Sequence, residues 1–258
     1  MVIALSGATG FLGRRVAQLA DVKTRLHRGD PRWEDPAALA RDLAGVDAVV
    51  HLAGHYVNRH GPADVLPLVD ANIRLGAVLL EAAALAGVRV VLADTPMAWT
   101  DAGAANLYGA TRRALAALAA AYTDLPVVRV LIHDTYGPDD PRPKLVPALL
   151  RARATGAPLP ISAAGAVDLI HVDDAARGVL LAVEPATLPG AFAIRSGVVH
   201  TPLQVLRLLE EVDGKPIPHQ VTPGAPSTVL PWAGPDLPGF APEIPLPRGL
   251  RALCESSP

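Results

Sequence analysis

"SGATGFLG", residues Ser6–Gly13, follows directly on the apolar run Val2–Leu5. Its three glycines, Gly7, Gly10 and Gly13, are spaced G-x-x-G-x-x-G between a strand-like run and a helix-like one. In this arrangement Gly7 permits a tight turn, Gly10 lets the backbone approach a pyrophosphate, and Gly13 lets the helix pack close on the strand. Unpaired N–H groups and the positive end of the helix then face the phosphates. Thr9, Phe11, Leu12 and Arg14 complete the turn and join the glycines as candidate dinucleotide contacts. The same spacing also serves an ordinary strand-to-helix connection, so the rest of the chain decides between the two readings.

Outward from the turn, short β-branched runs alternate with longer alanine- and leucine-rich ones. Strands are predicted over 2–5, 48–52, 88–93 and 127–133, each a near-continuous apolar run suited to a parallel sheet buried on both faces. Helices are predicted over about 64–86, with Leu75, Leu79, Ala82 and Leu85 on one face and Gly87 as C-cap, and over about 104–121. The alternation implies an α/β fold, a Rossmann doubly wound parallel sheet with its ligand crevice at the carboxyl ends of the strands. The dinucleotide-binding domain is expected over 1–140 plus about 155–187. A small C-terminal substrate or lid subdomain is expected over about 141–154 plus 188–258. Within it, "TPLQVLRLLEEV" from Thr201 reads as a capping box with Gln204, followed by an amphipathic helix. Eleven prolines lie between Pro216 and Pro258, which predicts an irregular tail outside the core.

A chain of 258 residues with 50% hydrophobic content can bury a full core. Its net charge of −2 supplies no basic field for nucleic acid or an anionic membrane, so a small-molecule partner is expected. The lone Cys254 leaves no internal disulfide and no cysteine-based metal site, which fits a reducing cytoplasm. No signal peptide, membrane span or metal centre is expected. Oligomeric state is not legible.

Six stretches in order carry a resemblance: "SGATGFLG", "VDAVVHLAG" from Val46, "NIRLGAVLLEAA" from Asn72, "YGATR" from Tyr108, "TYGPDD" from Thr135 and "DLIHVDDAARGVLLA" from Asp168. Together they resemble the extended short-chain dehydrogenase/reductases of the NAD-dependent epimerase/dehydratase type, over about 2–214. The resemblance implies a nicotinamide dinucleotide, with Leu52, Ala53 and Gly54 bordering it, and a catalytic Ser or Thr followed by Tyr-x-x-x-Lys. Those positions fall at Thr95, Tyr108 and Arg112, so arginine stands where lysine is usual. Tyr108 and Arg112 are four apart on a helix and share a face. Arginine still brings positive charge and can donate to a ribose, but it cannot relay a proton. Thr95 reads equally as a turn threonine before Pro96.

Other departures bear on the ligands. Leu131, Asp134 and Val167 stand where relatives acting on nucleotide-sugars carry an arginine, an asparagine and a phosphate-gripping arginine. Asp30, 21 residues before His51, suits the family's adenine-contacting aspartate. No acidic residue takes the ribose 2′-hydroxyl position, while Arg14, Arg15, Arg25 and Arg28 cluster nearby, so NADP(H) is expected over NAD(H). Whole-chain likeness extends to ketoreductases of antibiotic pathways. The resemblance therefore implies an NADPH-dependent ketoreductase acting on a polycyclic aromatic polyketide of the angucyclinone type. The alternatives are a nucleotide-sugar epimerase or dehydratase and a catalytically inactive NADP(H)-binding sensor.

Overall fold

A computed structural model of the chain describes residues 1–101, 103–223 and 234–256. They form two compact units. The first comprises 1–132, 176–194 and 230–240, and the second 133–175, 195–229 and 241–258.

The first unit is built on a six-stranded sheet in the order β2-β1-β3-β4-β5-β9. Its strands are β1 (Val2–Ser6), β2 (Asp21–Leu26), β3 (Ala48–His51), β4 (Arg89–Asp94), β5 (Val127–Ile132) and β9 (Gly190–Ile194), and every pairing is parallel. Central β3 is buried at all four positions, Ala48 to Val50 as an apolar run requires and His51 after them. Beside the sheet run α1 (Phe11–Leu19), α2 (Pro36–Asp42), α3 (Val65–Val69), α4 (Leu75–Ala86) and α5 (Leu107–Ala120). Leu75, Leu79 and Ala82 of α4 pack with Val49, Val90, Leu39 and Leu115 in the core. Leu85, expected on that apolar face, is 59% exposed. Gly87 closes α4 at φ +65°, as expected of a C-cap. Residues Asp70–Arg74, between α3 and α4, form a π turn in a helix predicted to be continuous.

Asp35 caps α2 by accepting from Ala37 and Ala38 N–H, and Asn106 caps α5 by accepting from Gly109 N–H at 2.8 Å. The two margins of the sheet differ. At β9, Ala193 exchanges backbone hydrogen bonds with Pro235 and Leu237. At β2, no further strand follows among the described residues.

The second unit carries β6 (Asp134–Tyr136), α6 (Leu145–Thr155), β7 (Leu159–Ser162), β8 (Val167–His171), β10 (Val199–His200), α8 (Pro202–Asp213), β11 (His219–Thr222) and α9 (Leu246–Ser256). The unit boundary falls within α7 (Val172–Leu181). The capping box at α8 forms as expected: Thr201 Oγ1 accepts from Gln204 N–H and Gln204 Oε1 from Thr201 N–H. The proline-rich tail corrects the expectation of an irregular segment outside the core. Leu246, Leu250 and Leu253 of α9 pack with Tyr136, Leu149, Val205 and Leu209. Pro247 sits in the first turn of α9, where a missing N–H costs no helical bond. β11 pairs parallel with β7 in a two-stranded sheet, a margin position that tolerates the prolines beside it. The part of the tail at 224–233 lies outside the described residues.

Candidate functional site

The glycine turn sits where β1 ends. Gly7 has φ +77°, and a Cβ there would lie 2.6 Å from Ala53 N, so the turn abuts the chain leaving β3. A Cβ on Gly13 would collide with the Gly7 carbonyl, so α1 lies against the turn as closely as backbone allows. Gly10 differs from both: its φ is −72°, and a Cβ would have only Gly7 O at 3.2 Å within reach. Two glycines are therefore sealed by backbone while the middle one opens outward. α1 begins at Gly10 with no side-chain cap and no acidic residue in its first turn. Such a terminus suits an anion, whose charge meets the helix dipole and the first-turn N–H groups. Thr9 and Gly10 are exposed at the turn, Leu12 is half-buried, and Phe11 packs inward.

The chain leaving β3 is fixed from below by a pair that sequence reasoning missed. Ser6 Oγ lies 2.6 Å from His51 Nδ1 and accepts from Ala53 N–H at 3.4 Å, and Ser6 and His51 are both fully buried. Burial first, and the Arg112 charge second, push the His51 imidazole down to about 3, so it stays neutral. Among the described residues its Nε2 has no hydrogen-bond partner.

Gly54 is enclosed from the far side by Asn72 Oδ1 and an Arg112 guanidinium nitrogen, which a Cβ would approach to 3.0 and 3.2 Å. Asn72, fully buried in the π turn, accepts from His55 N–H at 2.7 Å and donates to His55 O and Thr111 Oγ1 at 3.0 and 2.9 Å. Thr111 donates in turn to Tyr108 O at 2.7 Å. Asn72 opens one of the stretches that carry the family resemblance, which was the available signal for it. Its π turn, a feature that recurs at functional sites, was not legible in the sequence.

Arg112 is 4% exposed and donates to the carbonyls of Ala53, at 3.5 Å, and Ala93. It thus clasps the chain following β3 to the last residues of β4. The Tyr108 ring meets Tyr56 edge-on at 5.0 Å. Thr95, buried, accepts from Met97 N–H at 3.3 Å and caps the 3-10 turn Pro96–Ala98. Asp94 anchors that turn: it accepts from Thr95 N–H at 2.8 Å, and from Trp99 Nε1 and Arg129 at 3.0 Å each. Gly109 presses against the Met97 carbonyl, which brings the start of α5 against the same turn.

The structure therefore gathers Gly7, Gly10, Gly13, Leu52, Ala53, Gly54, Asn72, Thr95, Tyr108 and Arg112 about the carboxyl ends of β1, β3 and β4. Asp30 and Arg28 lie differently. Asp30 caps the turn Pro31–Glu34, holds the Arg32 guanidinium, and has its carboxyl lowered chiefly by that hydrogen bond. Arg28 donates to Pro67 O at 3.1 Å and approaches Asp70 at 4.0 Å.

A glycine turn between the first strand and first helix of a parallel six-stranded sheet defines a Rossmann-type protein. The chain belongs to the NAD dependent epimerase/dehydratase family, which it matches over residues 3–194. It is accordingly an enzyme of the epimerase/dehydratase type. No curated protein matches it in sequence.

Solved structures share its fold. A point mutant of UDP-glucuronic acid 4-epimerase from Bacillus cereus, in complex with UDP-4-deoxy-4-fluoro-glucuronic acid and NAD, is 22% identical with a TM-score of 0.82, covering 99% of this chain and 98% of that one. UDP-glucose 4-epimerase from Thermus thermophilus, in complex with NAD, is 21% identical with a TM-score of 0.77 and coverages of 99% and 98%. dTDP-glucose 4,6-dehydratase from Streptomyces venezuelae, with NAD bound, is 23% identical with a TM-score of 0.79 and coverages of 99% and 96%.

These structures overturn the expectation of NADP(H), because they hold NAD. The arginines behind that expectation are placed accordingly. Arg28 is spent on Pro67 and Asp70, Arg15 donates to Gln18 at 2.6 Å, and Arg25, next to last in β2, pairs with Leu5.

Among the described residues no group of side chains could hold a metal ion, and no helix is long and apolar enough to cross a membrane.

Proposed function

We propose that the chain is an NAD-using enzyme of the epimerase/dehydratase type whose substrate is a sugar nucleotide. The observation that carries this reading is the glycine cradle, sealed at Gly7 and Gly13 and open at Gly10, with Tyr108 and Arg112 presented from α5 beside the same strand ends. The substrate class is supported by the UDP- and dTDP-sugar enzymes among the structures of like fold.

The Gly10 turn and the start of α1 would hold the pyrophosphate, and the Leu52–Gly54 backbone would border the dinucleotide. Bound NAD supplies a hydride acceptor, and in its reduced form a hydride donor, for a substrate carbon. Tyr108 would exchange the accompanying proton with the substrate hydroxyl or carbonyl oxygen through its phenol. Arg112 contributes fixed charge and holds the Ala53 and Ala93 carbonyls, so the proton leaves Tyr108 by water rather than through Arg112.

The ketoreductase reading rests on whole-chain likeness, on Val167 in place of the phosphate-gripping arginine and on Arg112 in the catalytic set. A non-catalytic NAD-binding role is favoured by one observation, the engagement of Arg112 with backbone carbonyls in place of a proton-relaying lysine. Incubation with NAD and a panel of UDP- and dTDP-sugars, read by chromatography and NMR, tests the proposal. Conversion of a sugar nucleotide supports it. Reduction of polycyclic ketones with NADH alone favours the ketoreductase, and NAD binding without turnover of either panel overturns the sugar-nucleotide assignment.

A further inference from the structure

The margin of the sheet at β2 carries a feature that the dinucleotide site does not use. Pairing of β2 with β1 steps from Val22↔Ile3 to Thr24↔Ala4, so Lys23 is an extra, bulged residue. Bulges re-aim side chains, and here the Lys23 ammonium reaches the Ala44 carbonyl, 2.6 Å away beyond the end of α2. Around it lies a recess of about 580 Å³ lined by Lys23, Thr24, Arg25, Arg32, Arg41 and Asp42, and by Ala44. The recess is open and mostly polar.

The recess reverses the sign of the chain. The whole molecule has a net charge of −2, yet four cations and one carboxylate line this recess. The carboxylate is already engaged: Asp42 accepts from Arg32 at 3.0 Å, and Arg32 is held on its other side by Asp30. Arg25 and Arg41 are exposed and, among the described residues, make no ion pair. Two unspent guanidinium forks facing one recess match the geometry of a phosphate group, which accepts bidentate hydrogen bonds.

We propose that this recess is a second anion site, which takes the phosphate or pyrophosphate of a small phosphorylated ligand. It is separate from the glycine turn. Thr24 and Arg25 register with Ala4 and Leu5 of β1, and none of the residues that line the recess belongs to the glycine turn.

Calorimetric titration of inorganic pyrophosphate into the full chain at low ionic strength tests this, using wild type, Gly10→Val and the double variant Arg25→Ser/Arg41→Ser. Gly10→Val, with its cradle blocked, should still bind pyrophosphate, and the double variant should lose at least tenfold in affinity at this second site with an unchanged thermal midpoint. If the double variant fails to fold, Arg25→Gln alone should still weaken binding severalfold. Absence of binding to wild type overturns the proposal and leaves the cations as guards against strand pairing. Undiminished binding by the arginine variants also overturns it, as does binding lost in Gly10→Val, which would place the anion in the cradle.

Discussion

Asn72 donates to the Thr111 hydroxyl at 2.9 Å, and this bond ties the π turn ahead of α4 to the second turn of α5. The same side chain also exchanges two hydrogen bonds with the backbone of His55, so one buried amide sets the path of the chain after β3. Asn72→Ala would leave a buried N–H, a carbonyl and a hydroxyl short of partners. Each such group costs about 1–3 kcal/mol, so a loss of at least about 2 kcal/mol is expected in chemical denaturation. NAD affinity should fall with it, because Gly54 lies between Asn72 and the cradle.

The three glycines of the turn should respond differently to substitution. Gly10→Val at its ordinary φ meets only the Gly7 carbonyl, 3.2 Å from its Cβ, so the protein should still fold and should fail to bind NAD in a calorimetric titration. Gly13→Ala drives a methyl into the Gly7 carbonyl and should destabilise the fold by more than about 2 kcal/mol. A stable Gly13→Ala protein would show that α1 can withdraw from the turn.

Arg112 bears on catalysis through what it cannot do. A tyrosine acid served by a proton-relaying lysine typically contributes roughly 10²–10⁴-fold to the rate. With the Arg112 guanidinium held by the Ala53 and Ala93 carbonyls, Tyr108→Phe should cost less than about a hundredfold in single-turnover rate at saturating NAD. A loss beyond a thousandfold in a folded variant would restore the usual relay. Arg112→Lys, which recreates the common motif, should increase the Tyr108 dependence.

His51 ties stability to pH. Its folded-state value is held near 3 while an unfolded histidine titrates near 6.5, so below pH 6.5 the unfolded chain takes up a proton that the folded one refuses. Stability is then fully present above pH 6.5 and declines as pH falls towards 3, with a slope of up to about 1.4 kcal/mol per pH unit from this group. Denaturation of wild type and His51→Gln between pH 7 and pH 4 should show the slope reduced in the variant. Parallel curves would assign the acid sensitivity to other groups.

In the second unit, Tyr136 is 1% exposed, and its ring meets His171 edge-on at 5.3 Å. Its hydroxyl occupies the space where a Cβ on Gly249 would stand. Gly249→Ala should therefore part α9 from β6 and lower the thermal midpoint by several degrees. The double variant Gly249→Ala/Tyr136→Phe, which removes the colliding oxygen, should recover part of the loss.

Local pattern was enough for the Rossmann sheet, the glycine turn, the Gly87 cap and the Thr201–Gln204 capping box, because each depends on residues within a few positions of one another. The catalytic positions given to Thr95, Tyr108 and Arg112 came from the family resemblance. What those side chains touch depended on contacts across the sheet. Arg112 meets Ala93 and Ala53 only because β3 and β4 pair in one particular register, and Ser6 meets His51 only through β1 and β3. Proline count misjudged the tail because a total says nothing of position: Pro247 falls in the first turn of α9, and the leucines behind it reach partners on α6 and α8. The arginines that suggested a 2′-phosphate formed a cluster in sequence that the fold dispersed, Arg28 to Pro67 and Asp70, Arg25 to the recess it lines with Lys23 and Arg41. Charge along a chain is a local property, whereas the field at a ligand depends on where the folded backbone carries each group.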